Sequence, residues 1–281
     1  MDTRATDGTW EPLRWLLPPR ERQHLSRADI ADAGHGYDEF GLNRRAVAAA
    51  MALIGPFYDL YFRVRSHGAH HIPASGPAML AANHSGVLPI DGAMLYLDVL
   101  RWTHPPRVPR PIADLFVPRL PLLGTMYSRA GVVSGVRANV KRLLAAGELV
   151  MVFPEGTVGI AKPAHERYQL QSWRVGHVEL ALRERAPIVP VAILGAEEQW
   201  RQIGKLPLHP FGAPFLPLPF PPFPLPVRYD IHYGAPIALH ERYAPEDADD
   251  PRVLDAAAAE VKEAVRALIA AGIAERKGVF S

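Results

Sequence analysis

A histidine and an aspartate bracket a short segment, residues 83–91 (NHSGVLPID), directly after an apolar run. A histidine at the exit of a strand is held rigidly, and a nearby carboxylate can accept a hydrogen bond from one ring nitrogen. That contact fixes the tautomer and raises the basicity of the other nitrogen, as a general base requires. His84 and Asp91 are therefore predicted to be a base and its orienting partner. Because the chain has 12 histidines, a purely structural role for the pair is the alternative.

Two further segments carry charged residues beside predicted strands or helices. Phe153–Thr157 (FPEGT) follows an apolar run, and ligands bind at the carboxyl ends of strands in α/β sheets. Glu155 lies between proline and glycine, which predicts a turn, and a solvated turn carboxylate is the alternative to a binding role. Gly131–Arg137 (GVVSGVR) ends where a predicted helix begins. The guanidinium of Arg137 suits a phosphate, and the alternative is an ordinary surface arginine.

The elements that would position these residues alternate between strands and helices. Apolar runs without polar alternation predict strands covered on both faces over 78–82, 148–153 and 188–194. Helices are predicted over 91–102, 137–146 (closed by Gly147) and 176–185, and a half-polar strand near a sheet edge over 228–233. The expected fold is therefore α/β, with a mixed, mainly buried sheet flanked by helices.

A helical addition is predicted before this domain. Residues 42–64 have two arginines before an apolar run, a break at Gly55-Pro56 and aromatic residues after it. This composition is typical of an interfacial helix, and a helix packed on the domain's own core is the alternative. Further upstream, Ser26 and Asp29 resemble a capping box that would start a short helix.

A second helical addition is predicted after the domain. Residues 252–277 are alanine-rich and indicate an amphipathic helix. Its apolar stripe consists of Leu254, Val261, Val265, Leu268 and Ile269. We therefore divide the chain into an N-terminal helical segment over 1–63, a candidate for membrane association, and an α/β domain over 64–281.

Composition excludes several classes of protein. The formal net charge is +2, with 31 basic residues spread among 29 acidic ones, so nucleic-acid binding by charge density is not expected. The chain has no cysteine, which removes disulfides, zinc thiolates and a thiol nucleophile. The sequence motifs of serine hydrolases, zinc proteases, phosphate loops and dinucleotide-binding folds are missing, so no metal and no bound redox cofactor are expected.

The location follows from what the chain lacks. No secretory signal is visible, so a cytoplasmic location is expected. The charge-free helical stretch over 46–58 has 13 residues, fewer than the roughly 20 that span a bilayer. The longer run over 206–227 has nine prolines and is predicted to be a non-helical loop. We therefore expect a peripheral protein on the cytoplasmic side of a membrane.

This proline-rich segment, residues 206–227 (LPLHPFGAPFLPLPFPPFPLPV), has no charged residue. It contains four phenylalanines, Phe211, Phe215, Phe220 and Phe223. So much apolar surface is not normally left in water. One hypothesis is a lip that dips into a membrane, and the alternative is a strap folded over the protein's own core.

Together and in this order, the segments resemble the lysophospholipid and glycerol-3-phosphate acyltransferase family. Its hallmarks are an asparagine–histidine motif with a downstream aspartate, a glycine-to-arginine block, a Phe-Pro-Glu-Gly-Thr block and a strand with a Val-Pro-Val type run. The matching positions are Asn83–Asp91, Gly131–Arg137, Phe153–Thr157 and Pro187–Val191, within residues 64–240. The resemblance implies that residues 64–281 form a single acyltransferase domain.

The resemblance also implies a reaction. A fatty acyl group would move from acyl-CoA or an acyl-carrier protein to a hydroxyl of a lysophospholipid or glycerolipid. His84 would take the hydroxyl proton and Asp91 would orient its ring. Backbone N–H groups near His84 or Gly156 are the candidates for an oxyanion hole.

Substrate binding is assigned by the same resemblance. Glu155, Gly156 and Thr157 would form the acceptor site, and Arg137 would bind the acceptor's phosphate if it has one. The implied partners are the lipid acceptor, the acyl thioester and a membrane surface, with no cofactor besides the donor. Two rival functions remain open: a lipid hydrolase or thioesterase in which water replaces the alcohol, and a non-catalytic lipid-binding relative.

Two departures from the family pattern bear on the substrate. Six residues separate His84 from Asp91, where the family usually has four. Val158 and Gly159 follow the Glu-Gly-Thr block, where an arginine or serine is common, so one candidate phosphate ligand is absent. The chain therefore looks more like the branch that acylates neutral glycerolipids, or an unassigned branch, than like the lysophosphatidate enzymes.

Overall fold

The computed structural model describes residues 16–85, 89–156, 159, 162–208, 212 and 216–280. Its α-helices are α1 (Pro19–Leu25), α2 (Arg44–Pro56), α3 (Ile90–Trp102), α4 (Leu123–Arg129), α5 (Arg137–Ala145), α6 (Gly176–Arg183), α7 (Ala196–Gln199) and α8 (Pro251–Glu275). Its strands are β1 (Arg65–His67), β2 (Ala78–Ala82), β3 (Arg110–Ala113), β4 (Val133–Ser134), β5 (Leu149–Val152), β6 (Ile188–Leu194), β7 (Arg201–Leu206), β8 (Leu216–Phe220) and β9 (Asp230–Tyr233). A π-helix over Phe57–Tyr61 continues α2.

Within the described residues, seven strands form one sheet in the order β1-β9-β6-β2-β5-β3-β4. Neighbouring strands are parallel throughout, except that β6 and β9 are antiparallel. The central strand β2 and its neighbour β6 are buried along their whole length, as unbroken apolar runs predict. The expected α/β class, with a mixed sheet flanked by helices, is confirmed.

Helices cover both faces of this sheet, so each face has its own core. On one face, Met51 of α2 and Leu95 of α3 belong to the same apolar cluster as Leu80 of β2. On the other face, Leu143 of α5 shares a cluster with Met79 of β2 and with residues of α6 and α8. Successive strand residues point to opposite faces, so β2 is packed from both sides and held in the middle of the molecule.

β9 lies near one edge of the sheet, as the sequence predicts, and in the described residues β1 alone lies outside it. β9 lies between β1 and β6 and pairs with both. Its polar residue Asp230 is buried, and Arg228 Nε and Arg276 Nε lie 3.2 and 3.3 Å from its Oδ2. These ion pairs come from outside the strand and compensate its half-polar pattern, because a buried charge is tolerated when it is paired.

The helix predicted to start at Ser26 is wrong. α1 ends at Leu25, and Ser26 Oγ donates a hydrogen bond to Gln23 O, so Ser26 does not start a helix. The break predicted at Gly55-Pro56 is the point at which α2 ends, and the chain continues as the π-helix, in which Phe62 N donates to Phe57 O. Proline has no N–H to donate within a helix, and the wider π-turn directly follows it.

A buried carboxylate on α3 fastens this N-terminal segment to the sheet. Asp98 is fully buried and accepts a hydrogen bond from Tyr58 of the π-helix. It also accepts from Ser66 of β1 at 2.8 Å and from Tyr233 of β9 at 2.7 Å. Because a buried carboxylate without donors is costly, each of these hydroxyls stabilises the folded state and joins a different element to α3.

The proline-rich segment is not the continuous loop that the sequence predicts. β7 and β8 pair antiparallel, with Arg201 opposite Phe220 and Leu206 opposite Leu216. The prolines of β8 are Pro217 and Pro219. Because alternate residues direct their N–H groups to opposite sides of a strand, prolines two residues apart leave the paired side of β8 with its donors.

Part of the proline-rich segment presents apolar side chains to solvent. Phe220 and Phe223 are 58% and 78% exposed, so this part does not form a strap over the core. Phe211 and Phe215 lie outside the described residues. In the described ranges, no helix combines the length and the apolar character that a membrane span requires.

We expect Tyr58→Phe to lower the free energy of unfolding by about 1–3 kcal/mol, because it leaves the buried Asp98 without one of its donors. Urea unfolding followed by circular dichroism measures the change. Tyr243→Phe is the matched control, since the described structure gives the Tyr243 hydroxyl no hydrogen bond. Equal stability of the two variants would contradict the role assigned to Asp98.

Candidate active site

The loop that carries His84 is fixed at its start by the side chain of Asn83. Asn83 is fully buried, and its Nδ2 donates to Ile193 O at 3.0 Å while its Oδ1 accepts from Ile193 N at 2.7 Å. The amide offers one donor and one acceptor, as a peptide group does, and so continues the β2–β6 ladder by one residue. The core of the sheet therefore sets the position at which His84 leaves it.

The structure brings His84 and Asp91 into direct contact despite their long spacing. His84 Nδ1 lies 2.7 Å from Asp91 Oδ2. Asp91 has no exposed surface, and it also accepts from the N–H groups of Ser85 at 2.9 Å and Gly92 at 2.7 Å. Because the carboxylate accepts, Nδ1 of His84 donates the proton and Nε2 is left as the basic nitrogen.

Opposing effects act on the pKa of His84. Burial lowers it, because the imidazolium loses solvation, whereas the charge of Asp91 and its hydrogen bond raise it. The negative charge of Glu155 raises it further, and the positive charge of Lys162 lowers it. The net result is a pKa raised above the ordinary value of 6.5. Nε2 is therefore a stronger base than a free imidazole.

The Phe-Pro-Glu-Gly-Thr segment packs directly on His84. The ring of Phe153 stacks on the imidazole with centroids 4.3 Å apart. Gly159 comes so near that a Cβ there would lie 3.0 Å from His84 O and 2.9 Å from Glu155 Cβ. Glycine is therefore required at this position, and this departure from the family pattern serves the geometry of the loop.

Glu155 is buried, so the alternative of a solvated turn carboxylate is wrong. Its Oε1 accepts from His84 N at 3.3 Å, and its Oε2 accepts from Gln171 N at 2.9 Å. Lys162 Nζ lies 3.4 Å from Glu155 Oε2 and 2.8 Å from Glu197 Oε1, and all three side chains are buried. The carboxylate of Glu155 holds the backbone of His84 from within the protein and does not line the cavity described next.

An apolar cavity of about 710 Å³ opens beside His84. Its walls are formed by α2, α3, β3, α4 and the first turns of α5 and α6. Aliphatic and aromatic side chains make up most of the lining, among them Leu53, Phe116, Leu123 and Met126. The volume lies within the roughly 300–1,000 Å³ of small-molecule sites, and the lining suits a long apolar chain.

A few charged or imidazole side chains interrupt this lining in the described residues, namely His84, Asp114, Arg137, Arg174 and His177. His177 Nδ1 lies 2.7 Å from Arg174 O, which accepts its proton. Burial lowers the pKa of His177 to about 4. His177 is therefore neutral near pH 7, and the permanent positive charges on the wall are the two guanidinium groups.

The predicted substrate-binding residues differ in their position relative to the cavity and in their partners. Gly156 lines the cavity with a φ of +56°, a conformation that favours glycine. Thr157 lies outside the described residues. Arg137 lines the cavity at the start of α5, but both of its terminal nitrogens donate to the carboxylate of Glu179 on α6. These hydrogen bonds raise the pKa of Arg137 and lower that of Glu179.

The backbone N–H groups expected to form an oxyanion hole are already engaged. The N–H of His84 donates to Glu155 and that of Ser85 to Asp91. The N–H of Gly156 donates to Phe153 O at 2.9 Å. This expectation is therefore not met by these groups, because their protons are directed at protein acceptors.

Two residues at the site, Lys162 and Arg174, are not indicated by the sequence. Both follow the Phe-Pro-Glu-Gly-Thr segment at distances that match no motif considered above. A cation such as Lys162 can be expected only once Glu155 is known to be buried, because a buried glutamate requires a cation or several hydrogen-bond donors. In the part of the chain that the structure describes, no group of three or more potential ligands is arranged to hold a metal ion.

We expect the apparent pKa of His84 to lie above 6.5 in the wild-type protein and to fall below that value in Asp91→Asn. The substitution removes the charge that raises the pKa and leaves the burial that lowers it. Histidine ring resonances followed by NMR across a pH titration measure both values, and the His84→Gln spectrum identifies the resonance. The same pKa in both proteins would show that the contact with Asp91 does not control the imidazole.

Comparisons with known proteins place the chain in a family. A family model described as Acyltransferase matches residues 63–194. An uncharacterized protein of Mycobacterium tuberculosis is 38% identical over 259 residues, which cover 88% of this chain and 72% of that protein. The human DGAT1/2-independent enzyme synthesizing storage lipids is 30% identical over 210 residues, which cover 72% of this chain and 60% of that enzyme.

A solved structure supports the fold. The crystal structure of the 1-acyl-sn-glycerophosphate (LPA) acyltransferase PlsC from Thermotoga maritima superposes with a TM-score of 0.59 at 16% identity, and covers 98% of this chain and 89% of that one. The matched family model, and the identity to a relative that this chain covers over 72% of its length, lead to one conclusion: this chain belongs to the acyltransferase family of enzymes.

Proposed function

We propose that the protein transfers a fatty acyl group from an acyl thioester, acyl-CoA or an acyl-carrier protein, to a hydroxyl of a glycerolipid at a membrane surface. The observation that carries this proposal is the His84–Asp91 pair beside an apolar cavity of about 710 Å³. A non-catalytic lipid-binding relative would not require a histidine whose pKa is raised by a buried carboxylate. The proposal therefore treats His84 as the general base and Asp91 as its orienting partner.

The reaction follows from the tautomer of His84. Nε2 takes the proton of the acceptor hydroxyl as its oxygen attacks the thioester carbonyl carbon. The tetrahedral adduct then collapses, the carbon–sulfur bond breaks, and the thiolate leaves with the proton that Nε2 returns. Proton transfer by a placed base contributes roughly 10²–10⁴ in rate. Asp91 stabilises the imidazolium that exists between the two transfers.

A neutral glycerolipid, such as a monoacylglycerol or diacylglycerol, is the acceptor class that the site supports best. The guanidinium of Arg137 already binds Glu179, so a phosphate would have to displace a carboxylate to reach it. Valine at position 158 replaces an arginine common in the family. The name of the human relative, an enzyme synthesizing storage lipids, agrees with an uncharged acceptor. In this proposal Gly156 forms part of the wall against which the acceptor lies.

A membrane-facing position is supported by exposed apolar side chains. Leu122 and Leu123 of the α4 region are 89% and 44% exposed, and Leu123 also lines the cavity. Leu60 of the π-helix is 77% exposed, and the proline-rich segment contacts this helix, because Tyr61 donates to Pro224 O at 2.6 Å. Exposed apolar surface of this extent favours a lipid interface, where acceptor and donor chains are concentrated.

We expect His84→Ala to lower turnover by at least about 10², because it removes the proton acceptor. The measurement is the transfer of a labelled acyl group from acyl-CoA to monoacylglycerol, with products separated by chromatography. His70→Ala is the control, since this histidine is exposed and is not among the described residues that line the cavity. Full activity in a folded His84→Ala protein would refute the proposed base.

The same assay without an acceptor separates the proposal from its rival. A transferase gives labelled diacylglycerol when monoacylglycerol is present and little free fatty acid without it. A thioesterase gives free fatty acid at the same rate in both cases. The second pattern would replace acyl transfer by hydrolysis, with His84 activating water in place of the lipid hydroxyl.

We expect the double variant Phe220→Ser, Phe223→Ser to sediment less with phosphatidylcholine vesicles, with a partition coefficient lower by at least about tenfold. Both side chains are more than half exposed, so the melting temperature should change little. Because phosphatidylcholine vesicles carry no net charge, their binding measures the contribution of apolar side chains without attraction between charges. Ile273→Ser, a substitution of a half-exposed apolar residue on α8, is the control.

One outcome would contradict membrane docking by the proline-rich segment. A lower melting temperature together with unchanged sedimentation would mean that these phenylalanines pack on the protein and do not meet lipid.

A further inference from the structure

Two arginines line the cavity beside His84, and their surroundings differ. Arg137 and Arg174 are both on its wall. Substrates of acyl transfer carry phosphate groups on the donor, the acceptor or both, and a guanidinium binds phosphate with paired hydrogen bonds. The question is which of the two arginines is open to such a group.

The guanidinium of Arg137 belongs to a series of ion pairs in which positive and negative side chains alternate. Glu179 accepts from both of its terminal nitrogens and also from Arg183 Nε at 3.1 Å. Arg183 in turn donates to Asp249 Oδ1 at 2.5 Å. The two arginines and the two carboxylates together carry no net charge. Displacing Glu179 would leave a mostly buried carboxylate with fewer partners, which is unfavourable.

A carboxylate also lies on the Arg137 side of the cavity. Asp114 is on the wall directly after β3. The carbonyl of its neighbour Ala113 accepts from Gly135 N at 2.8 Å, two residues before Arg137. The charge of Asp114 repels an anion that approaches from this side. This part of the cavity is therefore neutral to negative and suits an uncharged ligand.

Arg174 is in the opposite situation. Its side chain is exposed, and the described residues include no carboxylate partner for its guanidinium. The guanidinium lies against Gly156, where an added Cβ would be 3.6 Å from Arg174 Cζ. The backbone is anchored as well, because Arg174 N donates to Pro154 O at 3.2 Å.

The turn that anchors Arg174 is the turn that holds the catalytic loop. Glu155, between Pro154 and Gly156, accepts from His84 N. Arg174 is thus fixed relative to His84 through one short turn, and its positive charge faces the same cavity. We propose that Arg174, and not Arg137, is the residue of this protein that binds the phosphate of a substrate. This inference rests on the proposed acyl transfer and names the charged part of its substrate.

The phosphate has two possible sources that share the same chemistry. It belongs either to the acyl donor, whose pantetheine arm ends in a phosphate, or to an acidic acceptor lipid such as lysophosphatidate. Substrates that lack the phosphate distinguish the two. Acyl-pantetheine is the phosphate-free donor, and monoacylglycerol is the phosphate-free acceptor.

The test is the kinetics of Arg174→Gln with the four pairings of these donors and acceptors. We expect the KM of the phosphate-bearing substrate to rise at least about tenfold, with kcat nearly unchanged, because a charge-assisted contact to a group remote from the reacting atoms is lost. A rise for acyl-CoA and none for acyl-pantetheine assigns the phosphate to the donor. A rise for lysophosphatidate and none for monoacylglycerol assigns it to the acceptor.

Matched variants exclude a structural explanation. Arg174→Lys keeps the charge and should recover most of the affinity. Arg266→Gln removes an exposed arginine of α8 away from the cavity and controls for net charge. Equal KM changes for substrates with and without phosphate, no change with any substrate, or a phosphate-specific change in Arg137→Gln alone would each overturn the inference.

A binding measurement keeps this inference separate from the proposed reaction. Equilibrium affinities for CoA against pantetheine, and for lysophosphatidate against monoacylglycerol, require no turnover. If the wild-type protein transfers no acyl group, the proposed function fails, while a phosphate-dependent affinity that Arg174→Gln removes would still support the site. A phosphate-independent affinity in the same measurement would overturn it.

Discussion

The geometry of the site depends on one carboxylate that has no access to water and therefore needs hydrogen-bond donors from the protein. Asp91 is fully buried at the start of α3, and an ionised group there is tolerated only with several donors. The imidazole of His84 and the N–H groups of Ser85 and Gly92 supply them. The strand exit, the loop and the helix start are thereby drawn to one point. A longer connection between histidine and aspartate is accommodated because its two ends are fixed by these donors.

A second buried carboxylate acts on the same histidine from the other side. Glu155 accepts from the backbone of His84, and Lys162 balances its charge. Asn83 fixes the preceding residue by extending the strand ladder into β6. The histidine is thus held by its ring, by its own N–H and through its neighbour. In the proposed reaction, a histidine held in this way needs little reorganisation when substrate arrives, which is the advantage of a preorganised site.

The sequence predicts those parts of the fold in which a local pattern of residues determines the secondary structure. The run over 188–194 is apolar on both faces and forms a strand with these same limits. The burial of Asp230 in β9 could not be predicted, because its charge is compensated by Arg276, 46 residues away, and sequence spacing carries no sign of that contact. The hairpin was missed because prolines argue against strands unless one edge is free. The pairing of Arg137 with Glu179 depends likewise on a contact between distant elements.

The close approach of Gly159 to His84 limits how this protein can be redesigned. Transplanting the arginine or serine common in related enzymes into positions 158 and 159 is an obvious route to a different acceptor preference. A side chain at 159 would press on the carbonyl of His84 and on Glu155, with atoms 2.9–3.0 Å apart. The graft would displace His84 before it could add a new headgroup contact. Changing selectivity here therefore requires redesigning the wall around α6, because position 159 has no room for a side chain.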